Sequence, residues 1–258
     1  MIWITHIFIN FAPKYKMYMS KAIVIGASSG IGKEVAQILI NEGWTVGLAA
    51  RREDRLQALK QMADDRVEVV QLDVMQDMAN EALNQLIKKI GGMDLFFYAA
   101  GIGKQNRDLQ EDIELSTVRT NALGFTRMIG EAYRYFAAHG GGHIAAISSI
   151  AGTKGLGPAP SYSATKAMQA TYLQALEQLA HSQGLNIQFT DIRPGFVDTD
   201  LLSGTHKYPM LMEAEPVAKA IVKAVKQKKH VIVIDWKWRL LTALWRRIPR
   251  WYWRRMKL

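Results

Sequence analysis

The sequence predicts an α/β fold: one doubly wound, seven-stranded parallel sheet with helices on both faces. Three observations predict it. Short apolar runs at 22–25, 45–49, 67–72, 94–98, 143–147, 186–192 and 231–234 alternate with longer stretches of helical periodicity. Runs such as 22–25 and 231–234 are apolar throughout and do not alternate with polar residues, as strands covered on both faces require. A glycine-rich turn, Gly26-Ala-Ser-Ser-Gly-Ile-Gly32, separates the first run from the first helical stretch, which is how a dinucleotide-binding unit begins.

Taken in order, helices are expected over 33–41, 52–62, 79–90, 118–139, 162–182 and 216–226, with an irregular segment after Pro194-Gly195 that runs to Glu215. Right-handed crossovers then place consecutive strands side by side in a Rossmann-type sheet. At 258 residues the chain can bury one full core, so residues 19–235 are expected to form a single domain. Residues 1–18 read as an N-terminal arm or as an upstream start assignment, with the domain proper beginning near Met17 or Met19. Their apolar run, 1–12, is shorter than the roughly 20 residues of a membrane span and lacks a basic leader. An interfacial anchor is the other reading of this run.

Composition removes several function classes. There is no cysteine, hence no disulfide, thiol nucleophile or cysteine-ligated metal, which fits a reducing compartment and an expected cytoplasmic location. The six histidines show no metal-ligand spacing, and no metal is expected. The net charge of +10 suggests nucleic acid until it is located. Eight of those charges lie in residues 236–258, after the last acid, Asp235. The basicity belongs to the tail, which argues against nucleic acid as a partner of the domain.

The stretch richest in chemistry runs from Ser149 to Lys166. Tyr162 and Lys166 lie four residues apart, on one face of a helix, so the ammonium can sit beside the phenol and favour its ionised form. A bare Tyr-x-x-x-Lys is more often solvated helix surface. Here Ser149 ends an apolar strand and a Gly/Pro-rich loop leads to the helix, so a hydroxyl, a phenol and an ammonium can converge as a carbonyl-reducing site.

The glycine spacing in Gly26-x-x-x-Gly30-x-Gly32 lets the backbone turn tightly and bring a pyrophosphate to a helix N-terminus. After the second strand comes Ala49-Ala50-Arg51-Arg52, with no carboxylate until Glu53. An acid there would suit the ribose of NAD, whereas arginine suits a 2′-phosphate. The reading is NADP(H), with Arg51 and also Arg52 on the 2′-phosphate and Ser28 or Ser29 assisting; a solvated basic helix start is the plain alternative.

Together these motifs resemble the short-chain dehydrogenases/reductases over residues 20 to 235. The glycine motif of that family matches Gly26 to Gly32, including Ile31, with Ile25 where a threonine is usual. The resemblance implies that Asp73, followed by Val74, meets the adenine ring. Ala100 and Gly101 would line the cofactor, although the family's Asn-Asn-Ala-Gly is Tyr98-Ala-Ala-Gly101 here. It implies a catalytic tetrad of Asn121, Ser149, Tyr162 and Lys166, the serine being the one thirteen residues before the tyrosine. Pro194, Gly195, Val197 and Thr199 would hold the nicotinamide. Tyr162 would be the general acid in reduction, Ser149 would orient the carbonyl oxygen, Lys166 would hold the ribose and tune Tyr162, and Asn121 would support a water chain to Lys166. Homodimers or homotetramers built on the helices around 121–139 and 162–182 would follow.

Two segments remain. Leu201, Leu202, Tyr208, Met210, Leu211 and Met212 form an apolar stretch that can cover a substrate or simply pack on the core. The tail, 236–258, has five of the seven tryptophans, with Leu240, Leu241, Leu244, Trp245 and Ile248 at helical spacing and arginines between them. Such a basic amphipathic helix can lie on a membrane surface, dock on the protein, close a subunit interface or cover a substrate mouth. The expected function is hydride transfer between NADP(H) and an apolar or lipid-like ketone or secondary alcohol. A non-catalytic NADP(H)-binding scaffold with a membrane- or partner-binding tail is the alternative; a sugar-nucleotide epimerase would need a larger C-terminal domain.

Overall fold

All seven apolar runs form strands, and the strands form one sheet. The computed structural model describes residues 20–202 and 208–256, so the N-terminal run lies outside the described residues. The strands are β1 (Lys21–Ile25), β2 (Thr45–Ala50), β3 (Val67–Gln71), β4 (Leu95–Tyr98), β5 (Gly142–Ile147), β6 (Ile187–Arg193) and β7 (Val231–Val233). Their order is β3-β2-β1-β4-β5-β6-β7, and every pairing is parallel. The chain winds outward in both directions from β1, which leaves a crevice at the carboxyl ends of β1 and β4.

Successive residues of β1 feed opposite cores. Ala22 and Val24 join one cluster, with Val35 and Leu39 of α1 (Gly30–Asn41), Leu56 of α2 (Glu53–Lys60) and Ile221 of α7 (Ala214–Lys226). Ile23 and Ile25 join the other, with Leu83 and Leu86 of α3 (Ala79–Lys89), Phe125 and Phe136 of α5 (Phe125–Ala138) and Leu173 of α6 (Pro160–Ser182). Period-two alternation with both faces buried is what makes the run continuously apolar.

The helix expected from 118 begins earlier and is interrupted. Helix α4 spans Glu111–Val118, and residues Arg119–Gly124 form a π-helical turn before α5. Helix α4 escapes a periodicity reading because Thr117 is its only buried residue; its first turn is marked instead by Glu111, Asp112 and Glu114, favourable at the positive helix end. The wider π turn presents the carbonyl of Asn121 sideways, where α6 reaches it.

The tail folds back on the domain. Asp235, with φ of 74°, turns the chain, and its side chain accepts a 2.7 Å hydrogen bond from the amide of Lys237 to start α8 (Trp236–Arg247), followed by α9 (Arg250–Trp253). Trp238 is 2% exposed and packs edge-on against Phe196, with 5.5 Å between ring centroids. Gly195 permits this approach: a Cβ there would lie 2.2 Å from the indole nitrogen. Lys154 Nζ donates to the Ile248 carbonyl at 2.6 Å, and Trp253 Nε1 donates to the Gly155 carbonyl at 2.8 Å. Of the readings open for the tail, docking on its own protein is therefore realised for one face of α8. Among the described residues no helix is long and apolar enough to cross a membrane.

Candidate active site

A cleft of about 1180 Å³ runs along the carboxyl edge of the sheet. Pockets for one small ligand are typically about 300–1,000 Å³, so this one has room for two ligands end to end. One end is lined by Gly26, Ser29, Arg52 and Asp73, and the other by Ser149, Tyr162, Tyr208 and Trp245.

At the first end the glycine turn is folded tightly enough that a Cβ on Gly32 would meet the Gly26 carbonyl at 2.3 Å. Ser29, the residue before α1, makes no side-chain cap, and the first turn of α1 holds no acid. The amides and dipole at this helix end are thus directed into the cleft, which fits a pyrophosphate. Ser28, Gly30, Ile31, Arg51, Val74, Ala100, Gly101, Pro194, Gly195, Val197 and Thr199 line the same cleft. The two arginines differ in position. Arg52 donates to Ser29 Oγ at 2.6 Å, to Ser28 Oγ at 3.2 Å and to Asp200 Oδ2 at 3.1 Å. Arg51 is exposed and takes part through its backbone carbonyl, which accepts from Gln71 at 3.0 Å. Arg52 is therefore the arginine tied to the glycine turn, and Asp200, also paired with Arg55 at 3.1 Å, links it to the segment after Thr199. These two guanidinium groups hold the Asp200 carboxyl below the ordinary carboxylate range.

At the second end, Ser149 stands just beyond β5 and Tyr162 and Lys166 project from α6. Burial raises the Tyr162 phenol above its ordinary value, with the Ser149 side chain acting in the opposite direction. Lys166 Nζ lies 5.8 Å from the Tyr162 ring centroid and donates to the Ile147 carbonyl at 2.9 Å and to Gln169 Oε1 at 3.0 Å. The ammonium is directed at these acceptors, with the Tyr162 ring beside it. Desolvation brings Lys166 down to about 8, opposed by the charge of Asp191. Asp191 is itself buried, accepts a hydrogen bond from Ser148 and pairs with Arg193 at 2.6 Å.

Asn121 is fully buried and acts on backbone. Its Oδ1 accepts from the Ile102 amide at 2.9 Å and its Nδ2 donates to the Ile102 carbonyl at 2.7 Å. This clamp secures the 101–103 loop that the missing asparagines leave untied, since Tyr98 turns into the core against Phe125 and Ala99 packs at Gly32. The Asn121 carbonyl accepts from Gln169 Nε2 at 2.7 Å.

The apolar segment divides. Leu201, Leu202 and Tyr208 line the cleft, while Met212 pairs with Val197 and packs on the core; Met210 and Leu211 are exposed, and 203–207 lie outside the described residues. Sequence reasoning missed Gln169, Asp191 and Asp200, while Trp245, singled out in the tail, lines the cleft. The one available signal was Gln169, a polar residue three positions after Lys166 and hence on its face of α6. Among the described residues no group of acids and histidines could hold a metal ion.

Residues 20–208 match the family described as short chain dehydrogenase, and the chain belongs to that family. It is an oxidoreductase working between CH–OH and C=O groups, in a family that binds a nicotinamide cofactor. An uncharacterized oxidoreductase of Myxococcus xanthus is 31% identical over 242 residues, covering 91% of this chain and 94% of that one. One from Staphylococcus aureus strain MRSA252 is 35% identical over 221 residues, covering 82% and 93%. Among solved structures, an alcohol dehydrogenase from Thermococcus sibiricus complexed with 5-hydroxy-NADP superposes with a TM-score of 0.72 at 22% identity, covering 84% of this chain and 96% of that one. A short-chain dehydrogenase/reductase from Mycobacterium ulcerans gives 0.75 at 22% identity, covering 92% and 98%.

Proposed function

We propose that the protein transfers hydride between NADP(H) and an apolar ketone or secondary alcohol. The observation that carries this is one cleft holding Arg52 with Ser28 and Ser29 at one end and Ser149 with Tyr162 at the other, closed there by Leu201, Leu202, Tyr208 and Trp245. NADPH, when bound, supplies the hydride to the carbonyl carbon. In reduction the Tyr162 phenol gives its proton to the carbonyl oxygen, and its burial keeps it protonated at neutral pH, the form a general acid needs. Ser149 Oγ donates a hydrogen bond to the same oxygen and fixes its position. The positive charge of Lys166 favours the phenolate left behind, and Asn121 holds the Ile102 loop against the cofactor side. The 2′-phosphate falls to Arg52 first and Arg51 second.

The competing reading, a non-catalytic binder, drew on the loss of two asparagines beside the cofactor; the clamp of Asn121 on Ile102 supplies an alternative anchor. For assembly, exposed Leu115, Val118 and Leu123 give the α4–α5 surface an apolar patch suited to a second copy, in a homodimer or homotetramer.

The test is NADPH oxidation with a series of apolar ketones by the wild type and Tyr162→Phe. The variant should bind NADPH as the wild type does and lose about 10²–10⁴-fold in kcat. Turnover retained in Tyr162→Phe would overturn the assignment of the proton donor, and absence of NADPH binding by the wild type would overturn the cofactor.

A further inference from the structure

Helix α8 buries one face and leaves the opposite one bare. Trp238, Leu241, Thr242 and Trp245 turn toward the domain. Trp236, Leu240 and Leu244, spaced by four, form a single outward stripe at 62%, 57% and 54% exposure. On a helical projection Arg247 lies within the stripe, Lys237 on one flank and Arg239 and Arg246 on the other, all exposed. Helix α9 continues the pattern with exposed Trp251 and Tyr252 beside Arg250, Arg254 and Arg255. No acidic residue follows Asp235.

We propose that this outward face docks on an anionic lipid surface, with α8 lying in the plane of the headgroups. The twelve residues of α8 span about 18 Å, far short of a bilayer core of roughly 30 Å, so α8 can lie on the surface but cannot cross it. Leucine and tryptophan in the headgroup region with flanking arginines directed at lipid phosphates satisfy both halves of the surface at once. A second copy does not. A twofold contact on this stripe would set cations against cations with no acid to neutralise them. Nucleic acid phosphates would take the cations and leave Leu240 and Leu244 in water.

The docking also places the cleft. Trp245, on the inner side of the same helix, lines the cleft with Leu201, Leu202 and Tyr208. A helix with its side chains is about 10–12 Å across, so the substrate end opens within that distance of the lipid surface. An apolar carbonyl compound dissolved in the bilayer then reaches the cleft without crossing much water. This last step rests on the proposed function; the docking itself does not.

The experiment is co-sedimentation of the full chain with phosphatidylcholine vesicles, pure or with about 30% phosphatidylglycerol, at about 0.1 M and 0.5 M salt. Binding to the anionic vesicles should be at least about tenfold tighter than to the neutral ones and should weaken at the higher salt. Leu240→Glu with Leu244→Glu should lose at least about tenfold in vesicle affinity, as should Arg246→Gln with Arg250→Gln, with helical content and NADPH binding unchanged. Equal binding to both vesicles, or unaltered binding by the double glutamate variant, overturns the proposal. So does a wild-type oligomer that the glutamates dissociate, or preferential binding to a DNA duplex over anionic vesicles. NADPH binding is read on the same samples, so failure of the cofactor reading and failure of the docking are told apart.

Discussion

The ammonium of Lys166 lies 3.0 Å from Oε1 of Gln169, and Nε2 of the same amide lies 2.7 Å from the carbonyl oxygen of Asn121. One fully buried side chain thus joins the lysine to the π turn. A water in that place could exchange and pass protons; an amide fixes the ammonium and, by accepting its proton in a hydrogen bond, favours its charged form.

Gln169→Leu removes that acceptor. Lys166 already stands near 8 through desolvation, so its charge should be lost at still lower pH, and the alkaline fall in carbonyl reduction should move down by about one pH unit. Gln169→Glu places a carboxylate beside the ammonium and should move the same fall upward. Profiles of kcat/KM that coincide in all three proteins would reduce Gln169 to packing.

Burial of Lys166 also shapes stability. With a folded value of about 8 against 10.5 in the unfolded chain, the unfolded state binds more protons between these values. Stability should therefore rise as pH climbs through that window, by about 3 kcal/mol at most. Lys166→Met should abolish this rise and be roughly 1–3 kcal/mol more stable than the wild type at neutral pH, at the expense of activity. Urea denaturation of both proteins at neutral and alkaline pH checks the sign.

Arg52 and Arg51 should separate in cofactor titrations followed by nicotinamide fluorescence. Arg52→Ala should weaken NADPH by about tenfold or more and NADH little, because a charged hydrogen bond to phosphate is lost only for the former. Arg51→Ala, exposed and outside the Ser28–Ser29 contact, should weaken NADPH less. Asp200 competes for Arg52, so Asp200→Asn should tighten NADPH by roughly two- to fivefold and leave NADH unchanged.

Gly195 and Trp238 should behave as one unit. A Cβ at 195 would stand 2.2–2.5 Å from three atoms of the indole, so Gly195→Ala must push α8 away. Trp238→Ala should cost about 3–5 kcal/mol as a buried tryptophan. The two changes together should cost less than their sum, since the second removes what the first collides with. Thermal denaturation of the four proteins of this cycle measures the coupling; strict additivity would mean the alanine is accommodated without moving α8.

Local rules made most of the framework legible in the sequence. Ala22 to Ile25 reads as a buried strand because both its faces are covered, and Gly26 to Gly32 reads as a phosphate-facing turn because only glycine tolerates those approaches. Tyr162 and Lys166 are neighbours by helical arithmetic alone. What surrounds them is not arithmetic: the ammonium reaches Ile147 and Gln169, and the charge that opposes its desolvation is that of Asp191, which is 25 residues further along the chain. The order of the strands, the contact of Arg52 and not Arg51 with Ser28 and Ser29, the clamp of Asn121 on Ile102 and the side of α8 that meets Gly195 were decided only by the tertiary structure. Each depends on groups distant in sequence competing for one partner or one volume, and that competition is resolved only when the chain packs.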